Sequence, residues 1–239
     1  MKFRLACALL LTSLVACGGD DDNGKPVDAA VAVPQMINIS GKTQSAGVQI
    51  NPLGGVTVGV YKNGDDSTPL ATATSDQSGA FTIDVPTGGA AVDGYIKANI
   101  TGFFDSYFYP PAKLSADYDA SINIVTRDTV NALSTLCAKV VDPDTQGFVG
   151  VGVYGADGNP IAGAVVSSTP APTAGYCYDG TTAGFPDKNQ TMTNADGLAY
   201  LVNINGDLEI TASKSGVTFA TTKVNARIAV LTTTQVIGQ

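Results

Sequence analysis

One pair of motifs occurs twice in this chain, and any fold has to accommodate both copies. Pro52-Leu53-Gly54-Gly55-Val56-Thr57-Val58 is followed by Ser75-Asp76-Gln77-Ser78-Gly79-Ala80-Phe81. Pro160-Ile161-Ala162-Gly163-Ala164-Val165-Val166 is followed by Thr193-Asn194-Ala195-Asp196-Gly197-Leu198-Ala199. Proline lacks an N–H and suits the first residue of a strand rather than its middle. Glycine soon after it lets a strand bend or another backbone come close. In the second block Ser or Thr and Asp or Asn hydrogen-bond the local backbone and start a turn. Gly79 and Gly197 supply the positive φ that closes it. Each pair therefore reads as strand, glycine-closed turn, strand.

The residues after Gly79 alternate as a half-buried strand does, with Phe81, Ile83 and Val85 on one face and Ala80, Thr82 and Asp84 on the other. After Gly197 the pattern is less regular, because Leu198, Tyr200 and Val202 compete with Ala199 and Leu201. Further strands are expected at 37–42, 56–61, 70–74 and 94–100, with 122–125 closing the first module. Val149, Val151 and Val153 open the second. Between the copies, Val130, Leu133 and Leu136 are spaced for one face of a short helix capped by Asp128 or Thr129. The fold expected is all-β: two tandem β-sandwiches joined by a short helix. Its parts are a leader at 1–16, a tether at 17–36, a module at 37–127, a helical connector at 128–146 and a module at 147–239.

The paired blocks, together with the Asn203-Ile204-Asn205-Gly206 turn, resemble the carboxypeptidase regulatory-like domain. That resemblance covers most of 37–126 and 147–236 and implies a transthyretin-like Greek-key sandwich of roughly seven strands. The first copy departs from the pattern at Pro86-Thr87-Gly88-Gly89-Ala90. A fold of this kind hosts many roles and implies no activity.

Met1-Lys2-Phe3-Arg4 is basic, and the apolar run at 5–11 is too short to span a bilayer. Leu14-Val15-Ala16-Cys17-Gly18 then resembles a bacterial lipoprotein signal, whose cysteine is lipidated and becomes the first mature residue. Gly18 rather than Asp resembles lipoproteins sent to the outer membrane. Residues 18–34 offer few large apolar groups, so this stretch reads as a disordered tether. The acidic run Asp20-Asp21-Asp22 reads as a solvated spacer, or resembles a surface-export signal. The expected location is the bacterial outer membrane, lipid-anchored, facing the periplasm or the cell surface.

Formal net charge is −8 for the whole chain, and losing Lys2 and Arg4 with the leader makes it more negative. That argues against nucleic acid, which needs basic patches. It also argues against anionic lipid beyond the anchor. The chain has no histidine, so Ser-His-Asp and Cys-His arrangements and the usual zinc ligand are excluded. Glu209 is its one glutamate. No cofactor is implied. A calcium ion among Asp142, Asp144, Asp179 and Asp187 is a further idea, without EF-hand spacing. So are Lys–Asn isopeptide bonds, which collagen-adhesin modules of this topology carry; Lys42 with Asn123, or Lys139 with Asn225 and Glu209, would be the groups.

Gly102-Phe103-Phe104-Asp105-Ser106-Tyr107-Phe108-Tyr109-Pro110-Pro111 is the aromatic stretch of the first module. Two readings stand. Phe104 and Phe108 fill a core while the tyrosines cover a sheet edge; or Tyr107 and Tyr109 form an exposed platform for a sugar ring, with Asp105 bonding hydroxyls. Pro110-Pro111 must end the strand and leave an edge or loop there. In the second module an insert at 169–189 makes the distance from Pro160 to Gly197 about ten residues longer than from Pro52 to Gly79, and insertions often carry function. Cys137 and Cys177 are left after Cys7 and Cys17 are accounted for, and in an oxidising compartment they are expected to form a disulfide. The function expected is that of a non-catalytic envelope lipoprotein, a structural or protein-interaction module. The alternative is glycan binding through Asp105, Tyr107 and Tyr109.

Overall fold

In each copy the two motif blocks bind each other, and that contact organises the module. The computed structural model describes residues 32–47, 49–181 and 185–239. The leader, Cys17 and most of the expected tether lie outside the described residues. In the first copy the Gly55 amide donates to the Ser75 carbonyl (2.9 Å), and the Ser75 amide donates to the Val56 carbonyl (2.9 Å). Ser75 Oγ accepts from the Val56 amide (3.1 Å) and donates to the Leu53 carbonyl (3.0 Å). The second copy repeats this bond for bond. The Gly163 amide donates to Thr193 O (2.7 Å) and the Thr193 amide to Ala164 O (2.8 Å). Thr193 Oγ1 accepts from the Ala164 amide (2.9 Å) and donates to Ile161 O (2.7 Å). Glycine is required because a Cβ at Gly79 would stand 2.3 Å from Thr43 O, and one at Gly197 2.5 Å from Val153 O, both at positive φ.

The first module contains β1 (Met36–Ser45), β2 (Asn51–Pro52), β3 (Thr57–Lys62), β4 (Ala71–Thr74), β5 (Ala80–Pro86), β6 (Gly94–Asn99), β7 (Asp105–Tyr109) and β8 (Tyr118–Ile124). Helix α1 (Arg127–Cys137) follows. The second contains β9 (Gly147–Tyr154), β10 (Val165–Thr169), β11 (Gly175–Asp179), β12 (Pro186–Asp187), β13 (Leu198–Ile204), β14 (Gly206–Ser213), β15 (Thr222–Ala226) and β16 (Val230–Ile237). The protein is all-β with sandwich packing and one short helix between the modules. No helix among the described residues is long and apolar enough to cross a membrane.

The modules share a sheet. Nine strands run β12-β11-β13-β9-β16-β7-β6-β3-β4. The joint is parallel, with Val230 opposite Asp105 and Thr234 opposite Tyr109. A four-stranded sheet (β2, β1, β5, β8) covers the first module and a three-stranded sheet (β10-β14-β15) the second. They cover opposite faces. Phe108 packs in the core containing Ile39 and Phe81, whereas Tyr107 and Tyr109 pack in the core containing Val166, Leu208 and Ile210. Neighbours in one strand point to opposite faces, so one strand feeds both cores. Pro110 does end β7 and a loop follows it, the second of the two outcomes expected there, while β7 itself is an interior strand.

Helix α1 begins earlier than its spacing suggests. Thr126 is the N-cap and accepts from the Thr129 amide, so neither Asp128 nor Thr129 caps. Val130 and Cys137 are buried while Leu136 is 39% exposed, because Cys137 is joined to Cys177 of β11. The expected disulfide is present, and the Lys188 amide also donates to Leu136 O (3.1 Å), so the insert is fastened to the helix end. The connector after α1 is held by two asparagines of the turn singled out above. Asn203 accepts from the Asp142 amide and donates to Val140 O; Asn205 accepts from the Gly147 amide and donates to Thr145 O. Behind Cys177, β13 is covered on both faces: Ala199 and Leu201 lie in the core, and Tyr200 on the other face has its phenol pushed up by burial and then by Asp179.

Candidate functional site

Aromatic and charged side chains converge where the modules meet. Tyr95 of β6 and Tyr107 and Tyr109 of β7 share one face by strand alternation. Their rings pack with centroids 5.2 Å (Tyr95–Tyr107) and 5.3 Å (Tyr95–Tyr109) apart, and Tyr61 of β3 stacks on Tyr95 at 5.5 Å. Arg227, just after β15, reaches this ladder from the second module. Its guanidinium lies 4.4 Å from the Tyr107 ring centroid and 5.0 Å from that of Tyr95. It donates to Tyr109 Oη (2.6 Å), to Asn225 O (3.0 Å) and, in a two-pronged pair, to both carboxylate oxygens of Asp66 (2.7 and 3.3 Å). The Tyr95 hydroxyl donates to the same Asp66.

The electrostatics follow from those bonds. The Tyr95 hydroxyl first, and then Arg227, hold the Asp66 carboxyl below the usual carboxylate range. Burial first, and then the bond to Asp66, push the Tyr95 phenol far up. Burial works to lower Arg227, but Tyr109 and Asp66 outweigh it and the group is held more firmly protonated. At the other end of the ladder Lys97 pairs with Asp105 (3.0 Å) and lies 5.3 Å from the Tyr107 centroid.

This placement corrects the exposed-platform reading. Tyr107 and Tyr109 are 5% and 4% exposed, and Asp105 is engaged by Lys97. The rings present no face to a sugar because the second module, through Arg227, covers them. Phe108 fills the first core as expected, while Phe104 packs beside α1, edge-on to Phe148. Nothing in the periodicity of residues 103–109 pointed to Arg227, Asp66, Tyr61 or Tyr95. The one available signal was the Asn63-Gly64-Asp65-Asp66 turn, which holds more carboxylate than a turn needs.

A groove of about 730 Å³ opens beside the seam. The β3–β4 loop (Asn63, Asp66) walls one side. The outward face of β14–β15 forms the other, with Asp207 opposite Asn225 and Glu209 opposite Lys223. These groups bind one another: Asn225 to Asp207 at 2.6 Å and Lys223 to Glu209 at 3.1 Å. That removes Glu209 and Asn225 as isopeptide partners of Lys139, and Asn123 is bonded by Gln44 (3.0 Å) rather than by Lys42. The calcium idea falls as well. Asp142 caps its own turn through Thr145, Asp144 pairs with Arg127, and no metal-holding group of three acidic or sulfur ligands exists among the described residues.

No family model matches the chain, and no curated protein matches it. Solved structures do. The shaft pilin SpaA of Lactobacillus rhamnosus GG is 13% identical over 85% of this chain and 97% of that one, with a TM-score of 0.27. A minor pilin of Streptococcus agalactiae is 14% identical over 84% of this chain and 95% of that one, with a TM-score of 0.28. The Bacillus anthracis TIE protein is 11% identical over 85% of this chain, which spans 34% of its length, with a TM-score of 0.28. The fold assignment rests on the strand ladders of this chain.

Proposed function

We propose that this protein is a non-catalytic envelope lipoprotein in which two carboxypeptidase regulatory-like modules form one rigid body that holds partners at a set distance from the membrane. The observation behind this reading is the nine-stranded sheet that crosses both modules, backed by the Arg227–Asp66–tyrosine seam. A flexible pair of domains would share neither a ladder nor a half-buried cation that bonds to both. The absence of histidine supports a non-catalytic role. The repeated clasp of the two motif blocks supports the tandem family reading. Lipidation at Cys17 would anchor the body to the outer membrane, facing the periplasm or the surface, with an envelope protein as the partner class.

Spin labels on Ser121→Cys and Ser213→Cys, one in each module and both exposed, test the rigidity. One narrow distance distribution is expected; a broad or double one rejects the spacer. Cys17→Ala should move the protein from the membrane fraction to the soluble one, and retention in the membrane would reject the anchor. A second reading, glycan binding, moves to the groove, where Asn63 and Asp66 of the first module face amide, carboxylate and cationic groups of the second. Oligosaccharide titration followed by NMR should shift Asn63 and Asn225 together, and unshifted spectra end that reading.

A further inference from the structure

The clasp aligns the two modules residue by residue, and the alignment exposes a difference. Val56 and Ala164 occupy the same place, since each amide donates to the clasp hydroxyl. Val58 and Val60 then correspond to Val166 and Ser168. In the first module a strand closes this edge: Val58 lies opposite Ala73 and Val60 opposite Ala71 of β4. In the second module β10 pairs only with β14 among the described residues. The insert sends its strand elsewhere, as β11 against β13.

Three outward backbone groups of β10, the amide and carbonyl of Val166 and the amide of Ser168, are nevertheless occupied. The Val166 amide donates to Tyr178 Oη (3.1 Å), whose hydroxyl also reaches Val166 O (3.4 Å). The Ser168 amide donates to Tyr176 Oη (2.9 Å). Both phenols come from β11, two residues apart and so on one face. Cys177 between them points to the other face, where Cys137 holds it. Two side chains thus do for the second module what β4 does for the first.

We propose that Tyr176 and Tyr178 close a strand edge that otherwise pairs with β10 of a second copy of this chain. An open edge with free amides and carbonyls is a template for another strand, and native edges are blunted for that reason. Val165-Val166-Ser167-Ser168-Thr169 has high strand propensity and no charge to repel its own copy. Val165 is already 42% exposed. The groups released would be those of Val166 and Ser168, so the pairing is antiparallel about Ser167, with Val166 opposite the other copy's Ser168. That is an isologous contact, which closes as a dimer.

The test is the mass in solution of the full chain, purified in detergent, over a concentration series. Tyr176→Phe/Tyr178→Phe keeps both rings and removes both acceptors. Its protein mass should double at concentrations where the wild type is unchanged, and adding Ser167→Lys should return it to the monomer. Three results overturn the proposal: a double variant that stays monomeric, a wild type that associates equally, or association that Ser167→Lys leaves intact. Should the double variant lose its circular dichroism, Tyr176→Phe alone is measured; a folded monomer whose Ser168 amide exchanges no faster than in the wild type overturns it too.

Discussion

Arg227 is the residue whose surroundings depend most on the rest of the chain. Its side chain is 19% exposed, it meets two rings and it fills hydrogen bonds to both modules. Arg227→Ala leaves Tyr109 and Asp66 without that partner, and a cost of about 2–4 kcal/mol is expected in urea unfolding. Arg227→Lys should recover only part, because an ammonium cannot pair in two prongs. Asp66 adds a pH dependence. Its folded pKa lies below the ordinary value of about 3.9, so its stabilisation is present above that value and disappears as pH falls through the lower folded one. Asp66→Asn should therefore flatten the acid limb of stability against pH, and an unchanged limb would contradict this. Tyr118 works oppositely: burial, and then Asp119, push its phenol up to about 12, so its contribution is lost as pH rises through the folded value. Two hydroxyls at the seam, Ser106 Oγ and Thr232 Oγ1, are buried without a hydrogen-bond partner among the described residues. Ser106→Ala and Thr232→Val should each stabilise by about 1 kcal/mol in the same unfolding measurement.

At the scale of elements the clasp and the disulfide matter most. Gly79→Ala and Gly197→Ala place a methyl against a backbone carbonyl at positive φ, and each should cost about 2–4 kcal/mol. Thermal melts that move for one and not the other would show that the copies are not equivalent. The disulfide closes a separation of 40 residues. Its loss in Cys137→Ala/Cys177→Ala should destabilise by roughly 4 kcal/mol on the chain-entropy estimate, read as a lowered midpoint. Helix α1 explains why such a staple is useful. It is short, exposes Leu136 and buries little beyond Val130, so its position depends on the bond at its last residue.

For the whole molecule, a shared sheet makes the modules unfold together. A single transition by calorimetry and by tyrosine fluorescence is expected for the wild type. Weakening the seam with Arg227→Ala should separate the transitions, leaving two where there was one; two transitions in the wild type would mean that the joint adds little cooperativity. The joint also decides what the surface can offer. The aromatic stretch is spent on packing between modules, and the polar groove appears only because the β3–β4 loop of one module stands beside β14–β15 of the other.

The local and periodic features were legible in the sequence. The motif blocks, the glycine-closed turns, the alternation of β5 and β9 and the Cys137–Cys177 pair each depend on neighbours in the chain, or on a choice with few alternatives. Alternation also placed Tyr107 and Tyr109 together on one face. What lies on that face was decided by tertiary structure. A strand edge accepts any strand of suitable direction, and no pattern in residues 105–109 says that β16 will pair there, more than a hundred residues on. Arg227 and Asp66 look like surface charges until folding brings them together. Tyr176 and Tyr178 look like core or surface tyrosines until β11 is placed opposite β10. Residue spacing determines which faces are apolar, but which faces and edges meet depends on the three-dimensional path of the chain.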